Sequence, residues 1–230
     1  MIDALIFDLD DTLYVERDFV ASGYRAVARH IALCYRWPEE IVFDRMMGVF
    51  NTDGRGKVLE VAAHEFIGSS ASVSELVDIY RRHSPSIQLA PGYEALLERL
   101  HLEFRLGILT DGMPEVQRRK IAALRLERLF DAIVYTWESG SELEKPHPFG
   151  FGLILDVLGV PPSRSVFIGD NPYKDGRGAH NAGMRFIRVL SGEDTGRSEG
   201  CHTEEKADFV VSNLYELPGI LQHAGSYETD

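Results

Sequence analysis

Short apolar runs alternate with helical patterns through most of the chain, and this alternation most restricts the folds available to it. The runs are apolar at successive positions and rich in β-branched and aromatic residues, which is typical of parallel strands buried on both faces. Five runs are clear and a sixth is weaker: Ala4–Phe7, residues 106–109, Ala132–Tyr135, residues 165–168, residues 186–190 and, the weakest, Phe209–Val211. Buried parallel strands are therefore the first expectation.

Helical periodicity separates most of these runs. Apolar residues recur at helical spacing in residues 93–102, 114–124, 149–158 and 175–182. Gly159 and Gly183 follow two of these segments and are suited to the left-handed residue that often ends a helix. The alternation of strands and helices predicts an α/β fold with a doubly wound, Rossmann-like parallel sheet.

Residues 15–88 interrupt this alternation because they contain no strand-like run. Four amphipathic stretches with helical spacing occupy the interval instead. We therefore predict a small all-helical cap domain at residues 15–88, inserted into an α/β catalytic core of residues 1–14 and 89–230. Residues 191–206 are polar and are predicted to form a solvated loop.

The charge balance argues against several classes of partner. A formal net charge of −12 disfavours non-specific binding to nucleic acid or to an anionic membrane, both of which need a basic face. Cys34 and Cys201 are too few for a disulfide framework, and no apolar stretch approaches membrane-spanning length. With no signal pattern at the N-terminus, we expect a cytoplasmic protein. The sequence leaves its oligomeric state open.

A cluster of like charges ends the first predicted strand. Asp8 and Asp10 are two residues apart in FDLDDTLY, so continued strand geometry would place them on the same face. Their mutual repulsion and the loss of water would both be costly unless a positive charge lies between them. The pair therefore predicts a bound cation.

Polar side chains also follow the other predicted strands. Ligands of an open α/β sheet bind at the carboxyl ends of its strands, so these residues should share one rim. They are Thr110, Asp111 and Gly112 after the second run, Asp170 and Asp175 after the fourth, and Lys145 ahead of the intervening helix. A rim of carboxylates, a hydroxyl and an ammonium group is suited to phosphoryl transfer.

Each of these groups has a chemical use in such a transfer. Oxygen ligands from Asp8 and Asp170 suit Mg²⁺, and a carboxylate nucleophile divides hydrolysis into two displacements. Thr110 and the N–H groups of Asp111 and Gly112 can hold phosphate oxygens. Lys145 supplies positive charge, and Asp10 can donate and then accept a proton.

The motifs resemble those of the haloacid dehalogenase-like superfamily. The matching residues are Asp8, Asp10 and Thr12 in a DxDx[TV] motif, Thr110 after a strand, Lys145 before Pro146, and Asp170 with Asp175 in a GDxxxxD motif. The resemblance implies that Asp8 is the nucleophile and Asp10 the general acid and base. It also implies a metal held by Asp8, by the backbone carbonyl of Asp10, and by the acids Asp170 and Asp175.

The resemblance further implies a helical cap of the C1 type between the first two motifs, which matches the predicted insert. Dehalogenating members lack the second aspartate, so Asp10 indicates a phosphatase or a phosphomutase, and we favour the phosphatase branch. We predict a Mg²⁺-dependent phosphatase that acts on a small phosphomonoester, either a sugar phosphate or a nucleotide. A phosphomutase of the same superfamily and a non-catalytic binding module are the alternatives.

The sequence leaves the roles of three residues open. Arg55 and Lys57 in the predicted cap are candidates for binding an anionic or polyhydroxy substrate, with an exposed turn as the alternative. Asp175 can be a metal ligand, a partner of the ligands, or the N-cap of the following helix.

Overall fold

The computed structural model describes residues 1–68, 72–190 and 206–224. The chain forms two compact units, one from residues 1–15 and 88–230 and the other from residues 16–87. Except for Lys206, the segment predicted to be a polar loop at residues 191–206 lies outside the described part, as does Cys201.

In the described residues of the second unit, all regular secondary structure is helical. Its helices are α1 (Glu16–Tyr35), α2 (Glu39–Asp53), α3 (Val58–Phe66) and α4 (Val73–Arg82). One apolar stripe of each helix enters a common core, in which Val27, Met46, Ala62 and Leu76 are almost completely buried. This packing explains why the four amphipathic stretches form helices, since each has an apolar face to bury.

The first unit contains a six-stranded parallel sheet. Its strands are β1 (Ala4–Phe7), β2 (Arg105–Thr110), β3 (Ala132–Tyr135), β4 (Ser165–Gly169), β5 (Arg185–Val189) and β6 (Phe209–Val211). Their order is β3-β2-β1-β4-β5-β6, and every neighbouring pair is parallel. The predicted fold class, a doubly wound α/β sheet with an inserted helical segment, is confirmed.

In the described residues of this unit, four helices lie between strands along the chain and a fifth follows the last strand. They are α5 (Tyr93–His101), α6 (Pro114–Ala123), α7 (Pro148–Leu158), α8 (Arg177–Asn181) and α9 (Leu217–Ala224). Side chains from successive strands and from α7 form an apolar core, in which Ile6, Phe151, Phe167 and Phe186 have no exposed surface. Continuous apolar runs were required here because the central strands are covered on both faces.

The helical segment after β4 begins earlier than residues 175–182. A π-helical turn, Pro172–Gly176, precedes α8. The Asn171 side chain accepts hydrogen bonds from the backbone N–H groups of Tyr173 and Lys174, and Pro172 occupies the first helical position, where its missing N–H costs nothing. Asn171 is therefore the N-cap, and Asp175 lies inside the first turn.

Within the described residues, no helix is both long enough and apolar enough to cross a lipid bilayer.

Candidate active site

The strand order places the polar rim at the point where the sheet changes direction. The chain runs from β1 outward to β2 and β3, and then returns to the other side of β1 for β4, β5 and β6. Asp8 follows β1 and Asp170 follows β4, and Phe7 is level with Ile168 in the register of the two strands. Ligands of open α/β sheets bind at such a switch point.

Lys145 joins two carboxylates at this point. Its Nζ lies 2.6 Å from Oδ1 of Asp8 and 2.8 Å from Oδ1 of Asp175. Burial disfavours the charged lysine, but the carboxylates of Asp175, Asp8 and Asp111 outweigh burial and raise the pKa of Lys145 well above its usual range. The lysine is therefore an ammonium group, held against Asp8.

Asp175 contacts the backbone of the turn after β4 in addition to the ammonium group of Lys145. Its Oδ2 accepts a hydrogen bond of 3.1 Å from the backbone N–H of Asn171. The same oxygen lies so close to Gly169 that a Cβ there would be 2.3 Å from it. Because both carboxylate oxygens have protein partners, Asp175 acts as a support for Lys145 and for the turn that carries Asp170.

Three carboxylates converge into a group that could hold a metal. Asp8, Asp170 and Asp175 each offer one oxygen, and these oxygens lie within 4.8 Å of one another. The donor set consists of oxygens alone, which favours a hard cation such as Mg²⁺ over zinc. The backbone carbonyl of Asp170 accepts a 3.2 Å hydrogen bond from Nε of Arg188, which helps to fix that residue.

Electrostatics at Asp8 also favour a cation. Burial raises the pKa of Asp8 well above its ordinary value, and the nearby Asp175, Asp170 and Asp10 raise it further, although Lys145 opposes them. The predicted role of Asp8 as the nucleophile needs an ionised carboxylate, and the ammonium group of Lys145 alone does not offset burial and the neighbouring acids. A divalent cation among these oxygens would supply the missing positive charge, and the residues present fit such an ion.

The carboxylate of Asp10 has a different environment. Its two oxygens lie 2.7 and 2.8 Å from Nζ of Lys120, and its Oδ2 accepts a 3.0 Å hydrogen bond from Nε2 of Gln117. The hydroxyl of Tyr14 also donates to it. Burial alone would raise the pKa of Asp10, but the charge and hydrogen bonds of Lys120, together with those of Tyr14 and Gln117, lower it. Thus the Asp10 side chain faces Lys120, while the resemblance implied only its backbone carbonyl as a metal ligand.

Backbone conformation shapes both loops of the rim. Asp11 has a left-handed φ of 56°, which lets the chain turn directly after Asp10. Gly112 has a φ of 105°, a conformation that residues with a Cβ rarely adopt. The backbone at position 112, directly after Thr110 and Asp111, therefore favours glycine.

The side chain of Asp111 turns toward the lysine loop. Its Oδ1 accepts a 2.8 Å hydrogen bond from Oγ1 of Thr136 and a 3.1 Å hydrogen bond from the backbone N–H of Lys145. Asp111 thus anchors the residue that carries the ammonium group. Sequence reasoning left this side chain without a chemical step.

Arg55 and Lys57 belong to the helical unit. They lie in a 3₁₀ turn, Arg55–Lys57, between α2 and α3, where Arg55 forms an ion pair with Glu16. The substrate role of these two residues stays a prediction.

Sequence reasoning missed two side chains that touch the site. Gln117, Lys120, Ile121 and Leu124 follow the i, i+3, i+4, i+7 spacing of a buried helix face, and all four are buried. Gln117 and Lys120 occupy two positions of that face where apolar residues are expected. A polar residue at a core position of an amphipathic pattern was the available signal.

Comparison with known proteins places this site in a family context. Residues 5–189 match the family model described as haloacid dehalogenase-like hydrolase. A glyceraldehyde 3-phosphate phosphatase of Methanocaldococcus jannaschii is 27% identical, with 97% of this chain and 98% of that protein covered. A phosphoserine phosphatase of Thermus thermophilus is 31% identical, with 93% of this chain and 96% of that protein covered.

The fold itself also matches solved structures. The crystal structure of a putative beta-phosphoglucomutase from Thermotoga maritima superposes with a TM-score of 0.69 and 23% sequence identity, covering 96% of this chain and 99% of that one. At this identity the likeness establishes the shared fold.

Proposed function

The chain belongs to the haloacid dehalogenase-like hydrolases and is a phosphoric monoester hydrolase, and we propose that it hydrolyses a small phosphorylated metabolite through an aspartyl phosphate on Asp8. The observation that carries the proposal is the convergence at one switch point of Asp8, Lys145, Asp170 and Asp175. These residues come from three separate motifs of the family pattern, and Asp170 and Asp175 share one of them.

The first chemical step forms a bond between Asp8 and phosphorus. A carboxylate oxygen of Asp8 attacks the phosphoryl group, and the bond from phosphorus to the leaving oxygen breaks. Asp10, in its protonated form, gives its proton to that oxygen and becomes a carboxylate, so the leaving group departs as a neutral alcohol. Lys145 is 2.6 Å from Asp8 and offers its charge to the phosphoryl oxygens during the transfer.

The second step returns Asp8 to its starting state. A water molecule attacks phosphorus, Asp10 takes one of its protons, and the bond between phosphorus and Asp8 breaks. The products are inorganic phosphate and a free carboxylate. The same Asp10 therefore acts as an acid in the first step and as a base in the second.

Mg²⁺ is the proposed cofactor. The carboxylates of Asp8 and Asp170 and the backbone carbonyl of Asp10 would hold it, with Asp175 as a supporting acid. When bound, it would neutralise phosphoryl charge and let an anionic nucleophile approach an anionic substrate.

The proposed substrate is a small phosphomonoester of an aliphatic alcohol. The two relatives above are named for glyceraldehyde 3-phosphate and for phosphoserine, and both of these compounds are phosphates of primary alcohols. Such alkoxides are poor leaving groups, which is consistent with a site that retains Asp10 as a proton donor. Arg55 and Lys57 stay candidates for contacting the remainder of the substrate.

A screen of phosphorylated metabolites with released phosphate as the readout tests the proposal. Sugar phosphates, nucleotides, glyceraldehyde 3-phosphate and phosphoserine should be included, each with and without Mg²⁺. We expect phosphate release from at least one of these compounds, and none from the Asp8→Asn variant. A phosphomutase would instead convert a substrate to its isomer with little release of phosphate.

A further inference from the structure

One face of α6 carries two polar side chains that are buried almost completely. Gln117 is 2% exposed and Lys120 is 4% exposed, although both residue types are normally found at the surface. Removing a lysine ammonium group from water is costly unless a close negative charge compensates it. Both side chains point to groups of the active site.

The ammonium nitrogen of Lys120 contacts both oxygens of the Asp10 carboxylate at nearly equal distances. Its Nζ lies 2.7 Å from Oδ1 and 2.8 Å from Oδ2 of that residue. A carboxylate contacted through both oxygens cannot rotate about its last bond without losing one of the contacts. The lysine therefore fixes the plane of the carboxylate as well as its position.

Gln117 links Asp10 to Thr110. Its Nε2 donates to Oδ2 of Asp10 at 3.0 Å and to Oγ1 of Thr110 at 2.6 Å. Because the threonine oxygen accepts from an amide, the hydroxyl proton stays available for donation to another oxygen. One glutamine is thus hydrogen-bonded both to the Asp10 carboxylate and to the Thr110 hydroxyl.

Tyr14 is the third side chain that contacts the Asp10 carboxylate. Its hydroxyl donates to Oδ1 of Asp10, and the residue lies four positions after it. With Lys120 on both oxygens and Gln117 on Oδ2, three protein side chains contact the Asp10 carboxylate. Asp10 is held in one orientation before any substrate arrives.

We propose that Lys120 and Gln117 are positioning residues for leaving-group departure, because they fix the Asp10 carboxylate and set the direction of the Thr110 hydroxyl. This inference rests on the proposed function, since it assumes that Asp10 protonates the leaving oxygen. Neither residue is part of the four motifs that carry the family resemblance. The competing explanation is that the Lys120–Asp10 pair only attaches α6 to the sheet.

A comparison of two leaving groups separates these explanations. An alkyl phosphate needs a proton on its leaving oxygen, whereas p-nitrophenyl phosphate releases a stable phenolate that does not. The value of kcat/KM covers the steps up to the first departure, so it isolates the step in which Asp10 acts as an acid. The alkyl substrate is the phosphate of an aliphatic alcohol that the wild-type enzyme hydrolyses fastest in the screen described above.

We expect Lys120→Met to lower kcat/KM for the alkyl phosphate by about 100-fold and for p-nitrophenyl phosphate by less than about fivefold. Gln117→Leu should lower the ratio of kcat/KM for the alkyl phosphate to kcat/KM for p-nitrophenyl phosphate by about tenfold. Arg119→Met is the matched control, since it removes an exposed cation from the adjacent position of α6, and its ratio should equal that of the wild type.

Thermal unfolding of each variant accompanies the kinetics. If Lys120→Met does not fold, the uncharged change Gln117→Leu supplies the test. An equal loss for both substrates in a folded variant, or no loss for either, overturns the inference and leaves the proposed function standing. A wild-type enzyme that releases phosphate from neither class of substrate overturns the proposed function, and the inference with it.

Discussion

The ammonium nitrogen of Lys145 lies 2.6 Å from Oδ1 of Asp8, although the two residues are 137 positions apart in the chain. The contact is buried, and it joins the end of β1 to the loop that precedes α7. A second carboxylate, Asp175, reaches the same ammonium group from the turn after β4. Three segments of the sequence are thus connected through one positive charge.

Replacing Lys145 should affect both stability and catalysis. In metal-free buffer, Lys145→Met leaves Asp8 and Asp175 buried without their shared partner, so we expect the free energy of unfolding to fall by about 3 kcal/mol. Turnover should fall by at least about 100-fold, the usual effect of losing a group that stabilises transition-state charge. Urea unfolding and a phosphate-release assay measure the two effects.

Lys174→Met is the control for this variant. Lys174 is a more exposed lysine at the same rim, 3.6 Å from the nearest oxygens of Asp111 and Glu144. Its replacement should change stability by less than about 0.5 kcal/mol. Equal stability losses in the two variants would contradict the role assigned to Lys145.

Asp111 is predicted to act through Lys145. Asp111→Ala removes the acceptor for the backbone N–H of Lys145 and for the Thr136 hydroxyl, so kcat/KM should fall by about tenfold, the equivalent of one hydrogen bond. Asp111→Asn keeps an oxygen acceptor in the same place and should stay within about threefold of the wild type. Similar losses in the two variants would show that the charge of Asp111 matters instead of its acceptor.

The enzyme is predicted to require a divalent cation. Removal of metal with a chelator should abolish phosphate release, and added Mg²⁺ should restore it. Asp170→Asn should raise the Mg²⁺ concentration for half-maximal activity by at least about tenfold, since it weakens an oxygen ligand. Glu144→Gln removes a partly exposed carboxylate nearby and should leave that concentration unchanged. Full activity in the presence of the chelator would refute the metal requirement.

Asp131 is predicted to make stability dependent on pH. Burial alone would raise its pKa, but hydrogen bonds from the Leu106 N–H and His101, and the charges of His101 and Arg105, lower it. A carboxyl group whose pKa is lower in the folded state stabilises the protein fully above its unfolded pKa of about 3.9. That contribution is lost as the pH falls through the folded pKa.

The variant Asp131→Asn tests this dependence. At pH 7 it should lower the free energy of unfolding by about 1 kcal/mol, because charged acceptors become neutral ones. The difference from the wild type should shrink as the pH falls below about 4. Urea titrations across this range measure it, with the exposed Asp156→Asn as the control. A difference that is constant with pH would exclude the carboxylate as its source.

The sheet was predictable because its strands are buried on both faces. A central strand such as Ala4–Phe7 can have no polar position, and this shows in the sequence as an uninterrupted apolar run. The rim residues were predictable for a related reason, since polar residues directly after such runs must lie at the carboxyl ends of parallel strands. The motif pattern then separated Asp8 and Asp170 from ordinary turn residues.

Tertiary contacts account for what the sequence did not reveal. Lys120 reaches Asp10 across 110 positions, and no local pattern reports on a contact at that distance. Asp175 could not be assigned among three roles because its partners, Lys145 and the backbone of Asn171, are defined by the fold. The start of the helix at Pro172 is a different case, because its signal is local: Asn171 is the N-cap and Pro172 occupies the first helical position.

Formation of a phosphoenzyme at Asp8 is the most direct test of the mechanism. The enzyme is mixed with Mg²⁺ and its best substrate, the reaction is quenched in acid during turnover, and the peptides are analysed by mass spectrometry. We predict that the peptide containing Asp8 gains the mass of one phosphoryl group, that fragmentation assigns it to that residue, and that Asp8→Asn shows neither the adduct nor turnover. Phosphate release at the wild-type rate from Asp8→Asn, or a phosphoryl group found on another residue, would contradict the account.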